Sequence, residues 1–234
     1  MKPEDYFLDL DSSALGGGWA GPLSHASRRA HVLDALTKIE INPVGLLLLR
    51  EFQRYRLWIR VRPDPWPSTH ADGSPICNAD SFGLEQVSQG RRYGAVVRAS
   101  LERFAEGTVC AKIAAGDGGA VAEPHQNLFH ELVHALRSST DAQIIKRVEG
   151  GLKKFTWAEE FIAVMVTNIY ASAGGKRVLR RDWKGHHRLG ERFGDSFEYF
   201  RLGSMTYPIV TDLYANNKIF CLLLANVKAR FNPI

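Results

Sequence analysis

The residues with the clearest capacity for chemistry are His130, Glu131 and His134, set in EPHQNLFHELVHALR, Glu123 to Arg137. With 8 His and 13 Glu in 234 residues, chance produces this His-Glu-x-x-His spacing about 0.015 times per chain, so it carries information. Two imidazoles at i and i+4 of a helix can reach one Zn²⁺, and the carboxylate beside the first can hold a water at the metal and take its proton. Glu131 is therefore the candidate general base, and His130 and His134 are candidate metal ligands.

A catalytic zinc takes three protein donors and keeps a fourth position for water, so a further donor is required. Thr156-Trp157-Ala158-Glu159-Glu160 offers it. Thr156 and Glu159 have the spacing of a capping box opening a helix from Trp157 to Ala173, which occupies Glu159 and leaves Glu160 free. Glu160 shares its helix face with the small residues Ala163, Val164, Thr167 and Ala171, which allow a close approach to the first helix. Glu160 is the preferred third ligand and Glu159 the alternative, ahead of His186, His187 and Asp182. On this reading Glu159→Gln is mild. For the oxyanion of a tetrahedral intermediate, His186, His187 and Tyr207 are the candidate stabilisers.

The elements that must position these groups follow from periodicity. Pro124 suits the first turn of a helix on which His130, Glu131 and His134 span about a quarter of the circumference. Phe129, Leu132, Val133 and Leu136 lie roughly opposite, predicting a helix anchored in the core with a polar face on a cleft. Upstream, Val32, Leu33, Leu36 and Ile39 recur at helical spacing, and Asn42-Pro43 reads as an N-cap and first residue of a second helix through Phe52. Leu57 to Pro63 alternates apolar and basic residues as a half-buried strand does. Asp72 to Gly83 is turn-rich, and Tyr93 to Leu101 and Gly107 to Gly116 read as strands of a small antiparallel sheet. The basic run Lys176 to Arg192, seven Lys or Arg against two acids, is either a solvated connection or a surface that attracts an acidic substrate segment. Ile209 to Val227 reads as a helical region completing the core.

Composition sets the frame. The chain is 45% hydrophobic and 24% charged, which excludes disorder, collagen and coiled coil. Its three cysteines, Cys77, Cys110 and Cys221, have no CxxC spacing and read as small hydrophobes rather than disulfides or zinc ligands. The N-terminal residues carry acids where a Sec signal peptide has a basic region, and the longest apolar run, Val44 to Leu49, falls far short of the roughly twenty residues of a membrane span. The net charge of +5 comes with no groove-reading motif or stacking aromatic pattern, so no nucleic-acid partner is expected. Gly16 to Gly18 divides a flexible acidic arm, 1–22, from a single domain, 23–234. No feature bears on oligomeric state.

HELVHALR, followed 26 positions after its second His by EEFIAV, resembles the gluzincin branch of zinc metallopeptidases, thermolysin and its relatives, in which a Glu on a second helix completes the HExxH site. More narrowly, VGLLLLREFQRYRLWIRV (Val44 to Val61), Asn78-Ala79, HELVHAL and the later EE resemble the NleD-like effector peptidases that pathogens inject into host cells. The resemblance covers Val44 to Ile169. It implies one catalytic Zn²⁺, endopeptidase activity on a protein or peptide substrate, and secretion without a Sec signal peptide. The fold expected is a compact α+β zincin-like domain: small sheet, active-site helix, second ligand helix and helical C-terminal region. Two other classes remain: a zinc hydrolase of a non-protein amide such as a cell-wall substrate, and an inactive zincin-like binding module. An intact Glu131 argues against the module, which has no need of a base.

Overall fold

The computed structural model describes residues 2–10, 25–62, 80–88, 90–99, 101, 123–143, 157–180 and 207–234. A 3-10 turn, Pro3–Tyr6, leads into β1 (Leu8–Leu10), followed by α1 (His25–Ile41), α2 (Pro43–Tyr55), β2 (Trp58–Arg62), β3 (Asp80–Ser88) and β4 (Arg91–Arg98). Then come α3 (Pro124–Ser139), α4 (Ala158–Ala173), α5 (Tyr207–Asn216) and α6 (Lys218–Ala225). The mixture of helix and strand is compatible with the expected α+β class. Among the described residues no helix is long and apolar enough to cross a membrane.

The sheet order is β1-β2-β4-β3. β1 and β4 both run parallel to β2, and only the β3–β4 hairpin is antiparallel, which corrects the antiparallel expectation. The parallel pairing of β1 with β2 follows from the crossover between them, which contains α1 and α2 and returns the chain in the same direction. β3 begins at Asp80, inside the segment read as turn-rich, and Gly90 turns the hairpin at φ 74°, a conformation glycine adopts without cost. The strand expected at Gly107 to Gly116 lies outside the described residues.

The N-terminal arm also needs correction. Residues 3–10 are built into the domain: Leu8 is fully buried and pairs with Ile59 in the sheet, and Tyr6 donates to Glu40 of α1 at 2.7 Å. Three residues are too few for alternation to register as a strand, and the tertiary pairing supplies what local pattern lacks. Residues 11–22 lie outside the described residues.

Asn42 does cap α2, accepting from Val44 N at 2.9 Å and Gly45 N at 3.4 Å, with Pro43 as first helical residue. Its amide also donates to the Tyr170 carbonyl of α4 at 3.0 Å, tying the two helices together. Ile59 and Val61 alternate into the core with Leu8, Ala95 and Val97, all fully buried. On the opposite face the Arg60 and Arg91 guanidinium groups lie 4.1 Å from the Tyr93 and Trp58 ring centroids.

α3 occupies the centre. It packs on β3 and β4 on one side and on α1, α2 and α4 on the others. A Cβ on Gly94 of β4 would collide with the Ser139 side chain at the end of α3, so that glycine lets the strand approach the helix. Because neighbours surround it, α3 is buried continuously from Leu128 to Ala135. The cleft-facing polar stripe read from the sequence is therefore an interior one, and its polar groups require internal partners.

Candidate metal centre

α3 and α4 pack side by side, and their facing side chains make the site. His130 and His134, one turn apart on α3, are each 6% exposed, and their Nε2 atoms approach to 3.2 Å. Glu160, in the first turn of α4, places Oε2 3.3 Å from His130 Nε2 and Oε1 3.4 Å from His134 Nε2. These three residues form a group that could hold a metal ion. The two Nε2 atoms, 3.2 Å apart, are close to the about 3.3 Å that separates ligands about 2.0–2.1 Å from a tetrahedral ion, and a Glu160 oxygen faces each of them.

The electrostatics agree with a site that a cation completes. Burial pushes the His130 proton affinity down, to a pKa of about 4. For His134 burial acts in the same direction, but contacts with Glu159 and Glu160 outweigh it and hold its pKa well above the ordinary value. Burial disfavours the Glu160 carboxylate, yet the two imidazoles more than offset this and keep it ionised far below the usual range. The carboxylates around His134 thus favour its protonated form, whereas burial favours neutral His130.

α4 also supplies a partner for the second nitrogen of each ring. Thr167 Oγ1 donates to the Ala163 carbonyl at 2.7 Å and lies 3.4 Å from His130 Nδ1. Glu159 Oε1 lies 3.6 Å from His134 Nδ1. Both rings therefore turn Nδ1 toward α4 partners and Nε2 toward Glu160.

The capping-box expectation falls on Thr156, outside the described residues, but Glu159 has a further place in the structure. α4 starts at Ala158 behind Trp157, which makes no side-chain cap, and Thr156 lies outside the described residues. Glu159 is 6% exposed, and both its oxygens accept from Arg137 Nε, at 2.8 and 2.9 Å. That pairing turns it away from the Nε2 pair and separates its place from that of Glu160. Arg137, fully buried, also donates to Asn217 Oδ1 at 2.8 Å, the Ala142 carbonyl at 2.6 Å and Asp212 Oδ1 at 2.8 Å. The arginine thus joins α3 to α4 and to the C-terminal helices. A sequence signal for it existed: seven residues after His130 and three after His134, Arg137 falls on the same stripe of α3.

Glu131 is buried at 8% exposure, and its charge acts on the His134 ring. His125 is held between two side chains. It lies in the first turn of α3, with Nδ1 2.7 Å from Tyr170 Oη and Nε2 2.8 Å from Glu123, while Phe129 stacks on Tyr170 at 4.1 Å. At the start of the basic run Lys176 pairs with Glu123 at 3.2 Å, Arg177 is exposed and Arg180 is buried; the rest of the run, 181–192, lies outside the described residues. Asp182, His186 and His187 lie outside the described residues. Tyr207 opens α5, and its side chain is not among those described. No protein-family model, curated protein or solved structure matches the chain.

Proposed function

We propose that this chain is a zinc-dependent metallopeptidase of zincin-like fold, with Glu131 as general base and His130, His134 and Glu160 as metal ligands. One observation carries the reading. The His-Glu-x-x-His helix and a second helix bring two buried imidazole nitrogens to 3.2 Å from each other and set the two oxygens of a half-buried carboxylate 3.3 and 3.4 Å from them. Holding these groups together away from bulk water is costly unless a cation compensates them. Two nitrogens and one oxygen suit zinc, and three protein donors leave a position for water, as catalytic rather than structural sites do.

Bound in this centre, zinc would supply a Lewis acid and a water nucleophile at neutral pH. Glu131, adjacent to the first ligand on α3, would serve as general base, taking a proton from water and returning it to the leaving amine. His130 and His134 would hold the ion through Nε2, with Thr167 and Glu159 beside their Nδ1 atoms. Glu160 would contribute negative charge against that of the ion.

The sequence resemblance extends the reading to a protein or peptide substrate and to a secreted effector or toxin. The test has two arms. The purified protein should bind one zinc by elemental analysis, and the paired variant His134→Ala/Glu160→Ala should lose it; retention of full stoichiometry would remove the proposed site. Glu131→Gln should keep the fold and the zinc but lose peptide hydrolysis by several orders of magnitude. Expression of wild type and Glu131→Gln in the cytosol and in the periplasm then separates an intracellular protein target from a cell-wall amide.

A further inference from the structure

We propose that Glu159, clamped by Arg137, is a positioning residue for the metal centre: it holds His134 with Nδ1–H toward α4 and Nε2 toward the ion. The inference rests on the metal-site reading above and goes beyond it by assigning work to residues outside the ligand set.

The geometry runs in one line. His134 Nε2 faces His130 and Glu160, at 3.2 and 3.4 Å, and its Nδ1 faces Glu159 at 3.6 Å. Glu159 has no rotational freedom to drift, because Arg137 Nε engages both carboxylate oxygens. Arg137 is itself held at its far end by Asn217, Asp212 and the Ala142 carbonyl. An imidazole that binds metal through one nitrogen is oriented, and made more basic, by what its other nitrogen–hydrogen bond meets. A carboxylate fixed by a buried guanidinium is a strong partner of this kind. Among the described residues the corresponding place beside His130 holds the Thr167 hydroxyl rather than a carboxylate, so the two ligands are held unequally. The C-terminal helices α5 and α6 thereby reach the metal through Asp212 and Asn217, then Arg137, Glu159 and His134.

A purely structural salt bridge would lower the melting temperature and leave the zinc affinity of the folded protein unchanged, so affinity is the discriminating readout. Wild type, Glu159→Gln and Asp212→Asn are compared by chelator competition for Zn²⁺, by the visible spectrum of the Co²⁺ form and by melting temperature without metal. Glutamine retains the shape and one acceptor but removes the charge. Folded Glu159→Gln should bind zinc about 10- to 100-fold more weakly, with an altered Co²⁺ spectrum. An affinity within twofold of wild type with an unchanged spectrum overturns the proposal. If Glu159→Gln does not fold, Asp212→Asn decides: its side chain is 27% exposed, so loss of its charge is tolerated, while Arg137 loses one anchor. A threefold or greater loss of affinity then supports the relay, and unchanged affinity refutes it. Failure of wild type to bind zinc at all strikes the metal-site reading itself and is thus distinct from either result.

Discussion

Arg137→Met should lower the unfolding free energy of the chelator-treated protein by about 3–5 kcal/mol, the usual range for breaking a buried ion pair from one side. The structure sets that magnitude. Methionine fills much of the space of the arginine stem, so the cavity term is small. What disappears is a fully buried guanidinium making contacts of 2.6–2.9 Å with four residues. Asp212 can recover water, since its side chain is 27% exposed. Asn217 and the Ala142 carbonyl cannot do so readily, and each acceptor stranded in this way costs about 1–3 kcal/mol. Glu159, 6% exposed, loses the guanidinium that engages both its oxygens, which is the largest loss. These losses overlap, and the removal of the arginine's own desolvation offsets part of them, so they do not sum.

For a chain of this size about 1 kcal/mol moves the melting temperature by about 2–4 °C, so a fall of about 6–20 °C is expected. Urea and thermal unfolding followed by circular dichroism measure both quantities. The double variant Arg137→Met/Glu159→Leu removes both charges and should be more stable than Arg137→Met alone by about 1 kcal/mol or more, because no unpaired carboxylate remains inside. A loss under about 1 kcal/mol for Arg137→Met, or a double variant whose losses simply add, would show that the bridge does not bear on stability as described.

Metal affinity should rise with pH: His134 carries a raised pKa without metal, so zinc must displace its proton, and affinity should gain up to about one decade per pH unit below that pKa. Calorimetry in buffers of different ionisation enthalpy should detect the proton released near neutrality; no release would contradict the protonation assigned to His134. The same group makes a contribution to metal-free stability that is complete below its unfolded value near 6.5 and fades as pH rises through its folded value. Glu159 and Glu160, both lowered, contribute above about 4.5 and lose that contribution as pH falls through their folded values; melting temperature across pH records the combined curve. Gly94→Ala should cost about 1–3 kcal/mol as its new Cβ meets Ser139, and an unchanged denaturation midpoint would mean that α3 can move off β4. Asn42→Ala should cost about 0.5–2 kcal/mol, because it removes the α2 cap and the amide tie to α4, while the Tyr170 carbonyl keeps its bond from Gly174 N; denaturant midpoints check it.

Much of the candidate site was legible because its information is local. The spacing of His130, Glu131 and His134, the N1 proline at Pro124 and the cap at Asn42 are relations within a turn or two of helix, and helical geometry fixes what such relations mean. The choice between Glu159 and Glu160 was not local. Thr156 and Glu159 satisfy a capping pattern in the sequence, yet the Glu159 carboxylate also takes the Arg137 Nε–H, from 22 residues upstream, between its two oxygens. No pattern within α4 announces that partner, nor Asn217, 80 residues beyond Arg137. Strand direction was equally non-local: β1 contributes three residues, and its parallel pairing exists only because α1 and α2 bring the chain back beside it. By itself, then, the sequence determined the chemistry on offer, two imidazoles, a base and a glutamate pair carried on helices, since residue type and periodicity are properties of the chain. Which glutamate faces the nitrogens, which is tied to arginine, and how deeply the whole set is buried were decided only by tertiary packing, because contacts between distant segments depend on where each helix lies.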